Sequence, residues 1–314
     1  MEFLRGLHSL RPDHRGCVLT IGNFDGVHRG HQAIIAQLGN VGQELGLPAV
    51  LLTFEPHPQE LFAPRSAPAR LTRLREKLEA LRGTALRRVV CLRFNRRLAD
   101  TSADDFIAQV LVERLGVRAL VVGDDFRFGK GGAGDVAQLR RAGERSGFAV
   151  MRRDDYRIDG RRISSSWVRE ALASGRLDVA TTLLGRSYAI HGRVAHGDRL
   201  GRTIGFPTAN LPLKRRVPAL AGVFAVQVHG AAETPQMGVA NVGTRPTVNG
   251  VQSRLEVHLF DFAADIYGWP IEVVFLHKIR AEQRFESLAA LQRQIHHDVA
   301  QARAFFATPA AISI

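Results

Sequence analysis

Cysteine, lysine and long apolar runs are the scarce features of this 314-residue chain. Its two cysteines, Cys17 and Cys91, cannot build a disulfide framework, and neither lies in a Cys-x-x-Cys pair. No uncharged apolar run reaches the length of about eighteen residues that a membrane-spanning helix needs. The first sixteen residues carry an acid at position two and lack an apolar core, so no secretory signal is expected and the expected compartment is the cytoplasm. Lysine supplies only four of the 43 basic residues, at positions 77, 130, 214 and 278; the remainder are arginine. The formal charge is still +13, which directs attention to anionic partners: nucleotides, nucleic acid or acidic membranes. Genomic nucleotide bias also produces an arginine skew, so charge alone does not choose among them. At 45% hydrophobic and 23% charged, the composition is that of a globular protein rather than a disordered or fibrous one. The length favours two domains.

Short apolar runs at Cys17–Ile21, Ala49–Thr53, Arg88–Leu92, Ala119–Val122 and Ala149–Met151 alternate with helical patterns at His31–Leu45, Leu71–Arg82, Ala103–Leu115 and Val136–Ser146. That alternation predicts a parallel sheet covered by helices, with ligands at the carboxyl ends of the strands. Beyond about Arg186 the texture changes. Glycine and proline punctuate short runs at Tyr188–Val194, Val223–Val228, Gly238–Val242, Leu255–Phe260 and Ile271–Leu276, and a helical stretch follows at Ser287–Phe305. The second half therefore reads as a small antiparallel barrel with a terminal helix. Ser174–Arg186 reads as the linker.

The informative residues follow the strands. After Val18–Ile21 comes Gly22-Asn23-Phe24-Asp25-Gly26-Val27-His28-Arg29-Gly30-His31. Its glycines let backbone approach an anion closely, and the next helix offers unpaired N–H groups. His28 and His31 are spaced to share a helix face, suited to hydrogen-bonding a phosphate as its charge rises. A zinc site is the alternative use of His-x-x-His, but nearby cysteines and a glutamate after the first histidine are both missing. After the second strand, Thr53-Phe54-Glu55-Pro56-His57-Pro58 offers a proline-fixed turn and a flat apolar ring. The segment Val122 to Asp135 follows the fourth strand; its Gly129-Lys130 is not a P-loop, because Gly131 replaces the hydroxyl residue. Ser164, Ser165 and Ser166 precede a helix, where serines serve as N-caps or as phosphate donors together with Arg169. In the second half, glycines 192, 197, 201 and 205 interleave with arginines, as in a loop wrapping phosphates, and Thr208 and Asn210 are neutral oxygen donors two apart.

These motifs together resemble the bacterial bifunctional FAD synthetases, which join an FMN adenylyltransferase module to a riboflavin kinase module. GNFDGVHRGH resembles the nucleotidyltransferase signature, TFEPHP the family's T-F-x-P-H-P segment, and GDDFRFG its G-x-[DN]-F-x-F-G loop. Ile163–Arg169 resembles I-S-S-T-x-x-R, with Ser166 in place of the usual threonine. The run from Gly192 to Asn210 resembles the riboflavin kinase signature. The resemblance extends from about Leu19 to Arg303 with both modules in the family order.

It implies an α/β plus β chain: a Rossmann-like nucleotidyltransferase domain with a parallel sheet over 1–183, then an antiparallel β-barrel kinase domain with a C-terminal helix over 184–314. It implies catalytic roles for His28, His31, Ser165, Ser166, Arg169 and Glu256, the last as general base. ATP phosphates are expected at Gly22, Phe24, Gly30, Gly192, Gly197, Gly201 and Arg202. Flavin is expected at Phe54, Pro56, Pro58, Asp125, Phe126, Phe128 and Arg280, and Mg²⁺ at Thr208 and Asn210. The expected partners are ATP, riboflavin and FMN, with no nucleic acid or membrane, acting on a monomer or weak homo-oligomer. Two rivals are a basic RNA-binding protein and a nucleotidyltransferase for another acceptor. The first lacks aromatics interleaved on the barrel strands, and the intact kinase signature opposes the second.

Overall fold

A computed structural model of the chain describes residues 1–153, 155–196, 205–213, 217–247 and 250–308. The chain divides into two compact units, Met1–Pro68 with Thr72–Ile163, and Ala69–Leu71 with the chain from Ser164 onward.

The first unit is built on six parallel strands in the order β1-β4-β3-β2-β5-β6. These are β1 (Glu2–Arg5), β2 (Cys17–Ile21), β3 (Ala49–Glu55), β4 (Arg88–Arg93), β5 (Val117–Val122) and β6 (Ala149–Arg152). All five residues of β2 are buried, because helices cover both faces of the sheet. Cys17, Leu19 and Ile21 meet Phe106, Val110 and Leu139 on one face. Val18 meets Ile34, Ile35 and Leu38 of the helix Arg29–Leu45 on the other. From β2 the chain winds outward through β3 and β4, then returns to β5 on the opposite side. The carboxyl ends of β2 and β5 thus flank the topological switch point, where open α/β sheets bind ligands.

The sequence pattern overlooks β1, a four-residue edge strand held by its register with Arg88–Cys91. The expected helix Leu71–Arg82 is confined to Leu74–Ala80, with Thr72 captured by the Asp25 carboxylate. Ala103–Leu115 forms one helical turn, then a π-helix over Phe106–Arg114. A small hairpin, β7 (Arg157–Ile158) with β8 (Arg161–Arg162), precedes Ile163.

The second unit opens with helices Ser165–Ser174 and Leu177–Leu184. The expected linker is therefore a helix, with Leu177, Ala180, Leu183 and Leu184 buried on one side. Six antiparallel strands follow, in the order β10-β13-β12-β11-β14-β9. They are β9 (Ala189–Arg193), β10 (Ala209–Pro212), β11 (Gly222–His229), β12 (Gln236–Thr247), β13 (Gly250–Leu259) and β14 (Pro270–Arg280). An Ala195 N–H donating to Asn210 O at 2.8 Å links the sheet's two edges, so it approaches a barrel. Phe224, Val226, Val257, Val273 and Phe275 fill its interior. The helix Leu288–Phe306 places Ala302 and Phe306 against Val223, Ala225 and Val239 on the outer face.

Candidate active sites

In the first unit, the loop after β2 is held in a demanding conformation. Phe24 and Val27 have φ of 48° and 46°, a region that non-glycine and especially β-branched residues avoid. Buried hydrogen bonds hold it there. Asp25 accepts from the Thr72 N–H at 2.9 Å and its hydroxyl at 3.2 Å, and the Gly26 N–H donates to the same hydroxyl at 3.0 Å. Thr53 donates to Asn23 O at 3.3 Å.

This loop delivers His28 to the N-cap of the helix Arg29–Leu45, where its Nδ1 accepts from the His31 N–H at 3.3 Å. A neutral ring with an accepting Nδ1 carries its single proton on Nε2. His28 is neutral: burial first, then the Arg153 charge, hold its pKa down at about 4. His31 is held well below the usual histidine range, by loss of water around the ring and then by His28 and Arg153. The two imidazoles stack with centroids 3.6 Å apart, and Phe24 stacks beneath His31 at 4.4 Å. Phe24 is thus a buried support for the histidines. Gly30 packs against His28, since a Cβ there would stand 3.2 Å from Nδ1, and a Cβ on Gly22 would stand 3.1 Å from the Phe24 ring. Two buried polar atoms, Asn23 Oδ1 and His31 Nδ1, have no hydrogen-bond partner among the described residues, an arrangement that favours a polar ligand.

The unfolded chain protonates its histidines near pH 6.5, so protonation of His28 opposes the folded state as pH falls from about 6.5 to 4. In the ligand-free protein, an NMR titration of labelled histidine is expected to show the His28 ring unprotonated from pH 8 down to about 5. A midpoint near 6.5 would contradict this geometry.

Phe54, at the end of β3, meets Phe94 edge-on at 5.7 Å, and Phe94 meets Phe62 at 5.6 Å. Phe62 is 56% exposed, so this cluster presents an open aromatic surface that the motif at Phe54 did not announce. Pro56, exposed after a cis Glu55–Pro56 bond, and Pro58, the first residue of the short helix Pro58–Phe62, form the adjoining turn. Phe126 is partly exposed and stacks on Phe128 at 5.6 Å. Phe128 itself is 8% exposed and packs among the core residues with Phe106, so it supports Phe126 from beneath. Asp125 is exposed and accepts from Arg162 Nη2 at 3.0 Å, while Arg153 approaches it at 3.6 Å. Sequence reading missed both arginines, because no motif contains them.

In the second unit, Ser164 caps the helix Ser165–Ser174 by accepting from the Trp167 N–H at 3.2 Å. Ser165 and Ser166 therefore occupy its first turn. Arg169, one turn on, donates through Nε to Ala69 O at 2.6 Å.

The strand register assembles the other site. Glu256 on β13 lies directly opposite Asn210 on β10 and Asn241 on β12. Directly opposed residues share a face, so the three side chains form a row across the outer side of the sheet. Leu255 and Val257 on either side of Glu256 point into the core. Thr208 joins the row's edge, with Asn210 Nδ2 donating to Thr208 O at 3.2 Å. His258 Nδ1 lies 2.9 Å from Pro207 O and fixes this turn. The Glu282 carboxylate fills the space a Cβ on Gly243 would take, and burial raises its pKa. Asn241 and Glu282 were not singled out from sequence, because strand register and a side chain from a following loop bring them here.

Arg280, expected at the flavin, donates to the buried Asp298 of the terminal helix from Nε at 2.9 Å and Nη2 at 2.7 Å. It also approaches the Phe285 ring at 5.6 Å. Gly192 packs under Leu211, where a Cβ would stand 2.7 Å from the leucine side chain. Gly197, Gly201 and Arg202 lie outside the described residues.

Comparison with known proteins gives a consistent result. The sequence model of the FAD synthetase family matches residues 10–167, and that of riboflavin kinase matches residues 184–306. The chain is 54% identical to the bifunctional riboflavin kinase/FMN adenylyltransferase of Escherichia coli (strain K12) over 307 residues, covering 98% of each chain. It is 52% identical to the Pseudomonas fluorescens protein described in the same words, over 99% of each chain. A crystal structure described as a macrolide-efflux protein from Streptococcus pneumoniae aligns with a TM-score of 0.80 at 28% identity, covering 96% of this chain and 99% of that one. Among the described residues of the present chain, no helix is long and apolar enough to cross a membrane.

Proposed function

The chain belongs to the family of bifunctional riboflavin kinase/FMN adenylyltransferases, and we propose that the loop after β2 and the row on β13 carry its two chemistries. It phosphorylates riboflavin with ATP to give FMN, then transfers AMP from a second ATP to FMN, giving FAD and pyrophosphate. We place the functional boundary between residues 183 and 184, where the kinase match begins.

In the kinase step, Glu256 takes the proton from the terminal ribityl hydroxyl as that oxygen attacks the γ-phosphorus, and ADP leaves. Asn210 and Asn241, opposite it on both sides, hold the substrate groups in register with the carboxylate. The neighbouring oxygen donors, Thr208 Oγ1 and Asn210 Oδ1, suit Mg²⁺, a hard cation that takes few protein ligands when phosphates supply the rest. No cluster of three or more His, Cys, Asp or Glu side chains among the described residues offers a metal site of its own. When bound, the ion would neutralise charge on the ATP phosphates.

In the adenylyl step no base is required, because the FMN phosphate is already anionic. Its oxygen attacks the α-phosphorus of ATP, and the bond to the bridging oxygen breaks to release pyrophosphate. The observation that carries the reading is His28: neutral, protonated on Nε2, and fixed at a helix N-terminus. It is a preorganised donor for the charge that grows on the α-phosphate. His31 stacks beside it. Ser165, Ser166 and Arg169 are assigned to the pyrophosphate. Phe54 and Phe126 are assigned to the flavin ring, with Asp125 at its edge or at the adenosine sugar. The reading has the enzyme acting in the cytoplasm, where ATP is supplied, as a monomer or weak homo-oligomer without a nucleic-acid or membrane partner.

A time course with riboflavin, excess ATP and Mg²⁺ tests this. FMN is expected to rise first and FAD to follow. Absence of turnover with riboflavin, and again with FMN supplied in its place, would overturn the reading.

A further inference from the structure

The mechanism above leaves Arg153 without a task, although the fold carries its guanidinium to the end of β5, beside Asp125. Arg153 directly follows β6, and its backbone N–H donates to Val122 O at 2.8 Å. Strands β6, β5 and β2 are successive neighbours, so its backbone stands two strand spacings, about 10 Å, from the loop that carries His28. The side chain spans part of that gap and sets its guanidinium over Gly123, directly after β5. A Cβ on Gly123 would stand 2.9 Å from Arg153 Nη2 and 3.0 Å from Cζ, so glycine there leaves the path open. The guanidinium thus lies at the carboxyl end of β5, one of the two strands that flank the switch point, and its charge bears on both His28 and His31.

Its surroundings are poor in acceptors. The Arg153 side chain is only 21% exposed, yet its guanidinium makes no hydrogen bond among the described residues. Its one acidic neighbour there within 4 Å is Asp125 at 3.6 Å, whose other carboxylate oxygen already accepts from Arg162. Asp125, Asp155 and Asp124 offset part of its charge, but its five donors make no hydrogen bond among the described residues. Arg153 also acts on both catalytic imidazoles. The charged groups bearing on His28 are Arg153, Arg162 and Asp25; those bearing on His31 are Arg153, Lys77 and His28 when protonated. Because both rings are neutral, they bring no charge to a place where two anionic phosphates must meet. Arg153 brings one.

We propose that Arg153 is a phosphate-binding residue of the adenylyl-transfer reaction, its guanidinium donating to a phosphate oxygen of FMN or of ATP beside His28 and His31. The inference rests on the reading of the β2 loop as the adenylyl-transfer site. It also gives Gly123 a function, since any larger side chain there would obstruct the arginine.

The test is steady-state FAD formation by the full chain, with FMN and ATP varied in turn. Arg153→Met is expected to raise KM for one of the two substrates by about tenfold or more, and the substrate affected identifies the phosphate. Arg153→Lys keeps the charge but loses the planar fork, and is expected to recover part of the loss. Gly123→Ala puts a methyl group 2.7 Å from Asp125 Oδ1 and 2.9 Å from Arg153 Nη2, crowding both, and is expected to raise the same KM; Asp125→Asn measures the share that belongs to the carboxylate. In ligand-free Arg153→Met, the His28 titration midpoint is expected to move up from about 4 towards 6.5. A role confined to packing would lower stability and leave both KM values and the His28 midpoint unmoved; that result would overturn the proposal. If His28→Ala abolishes FAD formation while Arg153→Met leaves both KM values unchanged, this inference alone fails. If His28→Ala is itself without effect, the reading of the site beneath it fails.

Discussion

Glu256→Gln is expected to lower FMN formation from riboflavin by about 10²- to 10⁴-fold while leaving FAD formation from supplied FMN intact. The substitution keeps the size of the side chain and its place between Asn210 and Asn241, so the strand register and the barrel core should persist. What it removes is the proton acceptor. A ribityl hydroxyl that keeps its proton is a weak nucleophile, and the two neutral amides beside position 256 cannot take that proton. The loss should therefore fall on kcat, with KM for riboflavin nearly unchanged. Separate assays starting from riboflavin and from FMN check both halves. A decrease below about tenfold would assign the base elsewhere, with Glu282, whose pKa is raised by desolvation, the next carboxylate to examine.

His28→Ala is expected to have the opposite selectivity. FAD formation from FMN should fall on the order of 10²-fold or more, and FMN formation from riboflavin should continue. Two losses combine in this variant. The Nε2–H donor aimed at the developing phosphate charge disappears. The N-cap acceptor for the His31 N–H goes with it, which loosens the helix start and the imidazole stack. His28→Asn separates these effects, since asparagine is a good cap but a shorter donor. It should restore stability more fully than activity. Equal recovery of both would mean that His28 serves the helix rather than the reaction.

Much of this architecture is legible in the sequence where a segment carries its own signals. Cys17–Ile21 is an apolar run between glycines, and Val136–Ser146 is bounded by the cap Asp135 and by Gly147; both elements have the expected ends. Segments defined by their neighbours are less legible. Glu2–Arg5 is a strand because Arg88–Cys91 pairs with it, and Ala209–Pro212 is one because β13 does. Leu177–Leu184 carries a helical apolar spacing, with Leu177, Ala180, Leu183 and Leu184 buried, within the stretch that reads as a linker. The sites follow the same division. His28 and His31 sit within one motif and can be found from it. Asn241 comes to lie opposite Glu256, and Arg153 beside Gly123 and Asp125, through a strand order that neither residue's own neighbourhood encodes. Phe24 and Phe128 show a converse difficulty. The motifs mark Phe24 for the ATP phosphates and Phe128 for the flavin, whereas each is buried beside a neighbouring ring that is more exposed.

The central claim is that two separable chemistries, carried by residues far apart in sequence, act in succession in one chain. An equimolar mixture of the His28→Ala and Glu256→Gln proteins, supplied with riboflavin, ATP and Mg²⁺, tests it most directly. Alone, the first variant should stop at FMN and the second should leave riboflavin unconverted. Together they should produce FAD after a lag, as FMN released by one is adenylylated by the other. Appearance of FAD at the wild-type rate from either variant alone would contradict the account.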